Sequence, residues 1–208
     1  TNNGGIFSAI NLSGLAGNIV INITSDLTGE TGTHALNEFA GGYSVLIKPS
    51  GAAHSITGAS GTSLIKLSGA DNVRIDGSTA ATLFDSNVKG GDNAQGLIGG
   101  TPALRELTIT NTGTGAIIWI ATNGTSGATN NTIRNANLVG PGSFGGQGII
   151  AGSGATFGAA AESGRENSNN TIRNCSVKSV QNGVFTSGDA TTPDQNWTIA
   201  ENNFGSSV

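Results

Sequence analysis

A hexapeptide repeats in this chain without a change. Asn130-Asn131-Thr132-Ile133-Arg134-Asn135 returns as Asn169-Asn170-Thr171-Ile172-Arg173-Asn174. A shorter copy follows at Asn196-Trp197-Thr198-Ile199. Upstream, Leu107-Thr108-Ile109-Thr110-Asn111 and Asn72-Val73-Arg74-Ile75-Asp76-Gly77 carry the same pattern, and Val45-Leu46-Ile47-Lys48 and Ile21-Asn22-Ile23-Thr24 can be laid beneath them. With the shared Ile as marker, the copies fall at positions 23, 47, 75, 109, 133, 172 and 199, in steps of 24, 28, 34, 24, 39 and 27 residues. A minimal step lengthened by variable insertions is the pattern of a solenoid, each turn repeating one short strand. A propeller blade needs a regular period of about 40 residues, and a sandwich shows unaligned strands every ~8–12.

The stacked copies divide into faces, because side chains alternate along a strand. The marker column and the column two residues before it point inward, and the latter reads Ile21, Val45, Val73, Leu107, Asn131, Asn170 and Trp197. The residues between and after them point outward. They include Arg74, Thr108, Thr132, Thr171 and Thr198 in one column and Asp76, Thr110, Arg134 and Arg173 in the next. Two residues past the marker, Asn111, Asn135 and Asn174 align, and amides in that position can bond from coil to coil as a structural ladder. Glu201 interrupts that column in the last copy. Gly-led apolar pairs follow several copies, at Gly96-Leu97-Ile98, Gly115-Ala116-Ile117-Ile118, Gly148-Ile149-Ile150 and Gly183-Val184-Phe185, as glycines at coil corners with unusual backbone angles would.

Composition agrees. Gly, Ser, Thr and Asn supply 102 of 208 residues, which disfavours helix interiors. Charged residues are 11% and Pro only four, unlike an ordinary disordered chain. A net charge of −4 with nine Lys plus Arg argues against nucleic acid as a partner. The single Cys excludes a disulfide scaffold, and no apolar run approaches the ~20 residues of a membrane span. The chain has no Met and is read as processed or as a fragment.

The stacked N-x-T-I-x-N strands with Gly-led second strands resemble the right-handed parallel β-helix of the pectate-lyase-like superfamily. The stretches Gly17 to Leu27 and Leu46 to Gly51 are similar to the opening coils of β-helical modules in large secreted and cell-surface bacterial proteins. The expected fold is therefore all-β: one domain over residues 1–208, a right-handed parallel β-helix of about seven coils. Residues 1–16 form an N-terminal cap, with a short helix over Gly5 to Leu12, and 17–208 form the coils.

Enzymes of that superfamily cleave polysaccharides with clustered carboxylates, or with acidic Ca²⁺ ligands beside a basic residue. Here the 13 carboxylates are scattered, and no Asp-Asp or Asp-x-Asp occurs. Arg134 and Arg173 in consecutive coils would suit an anionic sugar, but they read first as solvated strand residues. Arg74 and Asp76 read as a weak surface pair. Glu162, Arg165 and Glu166 read as a solvated loop, and Trp119 and Trp197 as core packing rather than sugar platforms. His34 and His54 lack partners at metal spacing, Cys175 reads as a buried small hydrophobe, and no cofactor is implied. The Thr column is explained by β-propensity before ice binding.

The expected role is thus a non-catalytic structural or adhesive module, extracellular or on a cell surface. Its partners would be copies of itself stacked end to end into a filament, or further domains of a longer chain, with carbohydrate as a further ligand. The alternative is a lyase or glycoside hydrolase acting on an extracellular polysaccharide.

Overall fold

The computed structural model describes residues 5–83, 101–142 and 145–205. Apart from helix α1 (Gly5–Ser13) and one short 3₁₀ turn (Pro102–Leu104), its regular structure is extended. The strands are β1 (Ile19–Ile23), β2 (Leu27–Glu30), β3 (Leu36–Asn37), β4 (Val45–Pro49), β5 (His54–Gly58), β6 (Ser63–Ser68), β7 (Val73–Asp76), β8 (Leu107–Asn111) and β9 (Ala116–Ala121). They continue with β10 (Thr132–Arg134), β11 (Ala136–Val139), β12 (Gln147–Gly152), β13 (Thr171–Arg173), β14 (Ser176–Lys178), β15 (Asn182–Thr186), β16 (Thr198–Ala200) and β17 (Asn203–Gly205).

Every third strand joins the same sheet. The first sheet runs β1-β4-β7-β10-β13-β16, the second β2-β5-β8-β11-β14-β17 and the third β3-β6-β9-β12-β15. All these ladders are parallel. The architecture is a parallel β-helix capped by a short N-terminal helix.

The first sheet has six strands, whereas the marker isoleucines number seven. Ile75 pairs directly with Ile133, and Ile109 belongs to the second sheet, beside Ile56 and Leu138. The partner of Ile47 in the first coil is Ile21, so Ile23 lies opposite Pro49. The true inward column is Ile21, Ile47, Ile75, Ile133, Ile172 and Ile199. A second column, Leu27, Ile56, Ile109, Leu138, Val177 and Phe204, lines the second sheet. Together with Leu36, Leu67, Ile118 and Ile120 of the third sheet, most of these residues form one continuous core.

The corners are set by asparagine. Asn72, Asn130, Asn169 and Asn196 precede the first sheet in four consecutive coils, with φ between 56° and 60°. Asn135, Asn174 and Glu201 occupy the next corner with φ of 54°, 49° and 58°. Asn is among the few L-residues that adopt this left-handed conformation readily. Glu201, which looked like a break, continues the corner. The glycines before the apolar pairs act differently: Gly148 has no positive φ, but a Cβ there would lie 2.2 Å from the Gly183 carbonyl oxygen. Close backbone approach, not turn geometry, excludes a side chain. Gly96-Leu97-Ile98 lies outside the described residues.

At the N-terminal end α1 lies along β3. The Asn11 amide donates to the Ala35 carbonyl at 2.8 Å and accepts from the Asn37 N–H at 3.0 Å. One side chain thereby satisfies an edge that a neighbouring strand would otherwise pair.

The stack predicts a position-dependent cost of truncation. Ile133 is fully buried mid-stack while Ile199, in the same column, is 47% exposed. Ile133→Ala is expected to cost about 3–4 kcal/mol in urea unfolding and Ile199→Ala less than about half of that.

Candidate functional site

The outward face of the first sheet holds most of the residues singled out in the sequence. Two rows run along it: Val20, Leu46, Arg74, Thr132, Thr171, Thr198 and Asn22, Lys48, Asp76, Arg134, Arg173, Ala200. Thr108 and Thr110 are absent from these rows; they sit half-buried on the second sheet. Neither row is the solvated surface the alternation suggests. Arg74, Asp76, Thr132 and Arg134 are all buried, Asp76 completely.

The connection between β7 and β8 contributes to this burial. Its described ends lie over this face. Lys48 Nζ donates to the carbonyls of Thr79 at 2.5 Å and Ala81 at 2.9 Å. Further along, the Thr101 N–H donates to Asn174 Oδ1 at 2.7 Å, and Arg105 Nε donates to the Asn174 carbonyl at 3.0 Å. An outer polar layer forms beneath it. Asp76 accepts from Arg134 Nε at 2.5 Å, from Asn135 Nδ2 at 2.8 Å and from the Ser78 N–H at 3.1 Å. Arg74 Nε stands 3.8 Å from the same carboxylate. One coil on, Arg173 pairs with Glu201 at 2.6 Å, and that hydrogen bond, stronger than the loss of solvation, raises the guanidinium's pKa. The stacked arginines are therefore held by carboxylates of adjacent coils.

A cavity of about 190 Å³ opens on this face, lined among others by Ser44, Asn72, Arg74, Leu83, Asn130 and Thr132. The Thr132 hydroxyl is buried and has no hydrogen-bond partner among the described residues. Among the described residues these walls offer a guanidinium, amides and hydroxyls, so the cleft can take hydrogen-bonding groups.

The asparagine ladder is partly where the sequence places it. Asn174 Nδ2 donates to Asn135 Oδ1 at 2.7 Å. Asn111 takes no part: it bonds Ser60 and Gly113 at a different corner. A deeper ladder, missed in the sequence, runs through the inward column. Asn131 Oδ1 accepts from the Val73 N–H, and Asn170 Oδ1 accepts from the Asn131 N–H, each at 2.8 Å. The apolar column turning to Asn at 131 and 170 was the available signal. Trp197 takes the next position, half-buried against the core, with its indole N–H donating to the Asn167 carbonyl at 2.7 Å.

Trp119 lies on the outer face of the third sheet, in register with Lys66 and Ile150. Lys66 Nζ stands 3.9 Å from its ring centroid, and Phe157 packs edge-on at 5.3 Å. Burial lowers the Lys66 pKa. The loop bearing Phe157 is tied down by Glu162, which accepts hydrogen bonds from Ser153 Oγ at 2.6 Å and from Thr122 Oγ1. Burial pushes the Glu162 pKa upward, but the Ser153 and Thr122 hydroxyls, together with a backbone hydrogen bond and the charge of Arg165, make the net shift downward. Cys175 is fully buried, and burial pushes its thiol up to about 12, far from a reactive thiolate. His54 stands 3.6 Å from Asp26, and among the described residues no group of three or more His, Cys, Asp or Glu is placed to hold a metal ion.

No protein-family model matches the chain, and neither a curated protein nor a solved structure does.

Two outcomes follow from this geometry. Asp76→Ala leaves Arg134 buried without its carboxylate and is expected to cost about 3–5 kcal/mol in urea unfolding. Glu162 has a folded pKa below its ordinary 4.5, so its tether is in place above that value and is lost as pH falls through the folded pKa. In a Trp197→Phe background, Trp119 emission should shift to the red on acidification, and Glu162→Ala should show that shift already at neutral pH.

Proposed function

We propose that this chain is a non-catalytic structural or adhesive β-helix module of the cell exterior, whose copies associate through their ends. One observation carries the reading. Among the described residues eight large apolar side chains are exposed, and five of them, Ile6, Leu12, Leu27, Ile199 and Phe204, lie on α1 or in the core columns of the first and last strands. Ile6 and Leu12 lie on α1, and Leu27 on the first strand of the second sheet. Ile199 and Phe204 lie on the last described strands of the first and second sheets. Apolar surface gathered in patches marks contact sites, whereas scattered apolar residues carry no such meaning.

The sides of the stack support the same reading. Arg134 and Arg173 are engaged by Asp76 and Glu201, and the described walls of the cavity on the first sheet hold no carboxylate. The coil architecture and the N-x-T-I-x-N strands support the likeness to the pectate-lyase-like superfamily, and the extracellular setting follows from its bacterial surface modules.

The test separates this role from polysaccharide cleavage. Incubation with polyuronates and neutral polysaccharides is expected to yield neither unsaturated products nor new reducing ends, while sedimentation of the chain depends on its concentration. Turnover of any of these polymers would establish the polysaccharide-cleaving alternative instead.

A further inference from the structure

We infer that Asp194 is a proton-dependent rung of the stack: protonated, it joins the coil of β16 to a ladder of side-chain amides, and ionised, it weakens that step. The coil pairings carry the argument. β10, β13 and β16 pair Thr132 with Thr171 and Thr171 with Thr198. Four residues before these threonines stand Ala128, Asn167 and Asp194. The three hold equivalent places in successive coils. At each step the later side chain serves the earlier backbone. Asn167 Oδ1 accepts from the Ala128 N–H at 2.9 Å, and Asp194 Oδ1 accepts from the Asn167 N–H at 2.7 Å. The aspartate thus stands where the ladder repeats an asparagine.

The two rungs differ in their second atom. Asn167 Nδ2 donates to the Gly152 carbonyl at 3.1 Å, so this fully buried amide is satisfied through both its oxygen and its nitrogen. The remaining atom of Asp194 is an oxygen. That oxygen, Oδ2, is enclosed and has no hydrogen-bond partner among the described residues. A carboxylate only accepts, whereas a protonated carboxyl carries an O–H and can donate as the Asn167 amide does. An enclosed acceptor without a donor is costly, and more so when it bears charge. The surroundings add to that cost. Burial, and then the negative charge of Glu166 beside Asn167, raise the Asp194 pKa above its ordinary 3.8, against the lowering by the Asn167 N–H. The other charged groups nearby are engaged elsewhere: Arg165 acts on Glu162, and Asp189 accepts from the Thr191 and Thr192 N–H groups. Gly188 lies against the same loop, and a Cβ there would stand 2.5 Å from the Asp194 nitrogen.

A raised folded pKa gives stability that is complete below 3.8 and lost as pH rises through the folded value. Acid therefore tightens the coil of β16 on the coil of β13. The Glu162 tether responds in the opposite sense, since acid releases it.

Asp194→Asn supplies the amide at every pH. Its urea midpoint is expected to match that of the unmodified chain at the acid end of the range and to exceed it increasingly toward neutrality. Each tenfold by which folding weakens the acid corresponds to about a tenfold difference in the folding equilibrium constant between those limits. A second measurement needs no substitution at the site. The Asp194 carboxyl carbon, followed by NMR, is expected to titrate with a midpoint above 3.8, and Glu166→Gln is expected to lower that midpoint. A stability difference that does not vary with pH, a variant weaker than the unmodified chain at neutral pH, or a midpoint at or below the ordinary value would overturn the inference.

Discussion

Everything in this molecule depends on parallel backbone pairing between successive coils. Each strand is hydrogen-bonded to the equivalent strands of the coils before and after, so equivalent residues lie one strand spacing apart, about 4.8 Å. A residue that suits one coil then meets its own kind in the next. Isoleucine stacks on isoleucine through six coils of the first sheet. The same repetition permits polar residues in the interior, because an inward Asn131 can hand its backbone N–H to Asn170 of the next coil. A single such amide in an apolar core would be costly, but a column of them is satisfied by the stack itself. Left-handed corners complete the arrangement, and asparagine tolerates them where most side chains do not.

Pairing of this kind leaves the outside of each sheet free to evolve separately, and here two of the three outsides have become secondary interiors. The described ends of the connection after β7, residues 77–83 and 101–106, lie against the first sheet around the buried Asp76–Arg134 pair. The loop held by Glu162 lies over the third and covers Trp119. Groups that look reactive in the sequence are thereby spent on holding loops to the stack. Among the described residues, Ile199 and Phe204 of the core columns are the exposed members on the last described strands.

Much of the stack is legible in the sequence, and the misplacements share a physical origin. Ile133 and Ile172 align because an identical hexapeptide surrounds each, and Ile199 because Asn196, Thr198 and the corner after it keep the same strand frame. Ile109 misleads because Leu107-Thr108-Ile109-Thr110-Asn111 alternates as any strand of the helix does, and alternation says which face a residue takes, not which sheet. The coil from Ile75 to Ile133 is 58 residues long, so a marker halfway along it looks like a coil of its own. Asn111 was misassigned with it. Burial of Arg74, Asp76 and Arg134 was not legible at all, since it depends on where an insertion folds back. Trp119 reads as core from its apolar strand, yet parity places it outside, beneath Phe157.

The central claim is that each coil is held by its two neighbours and by little else. Native-state hydrogen exchange resolved by residue tests it directly. Amides of β7, β10 and β13, paired on both sides, should be the slowest in the first sheet, with protection falling toward β1 and β16. Equal protection along the sheet, or a most protected strand at either end, would contradict the account.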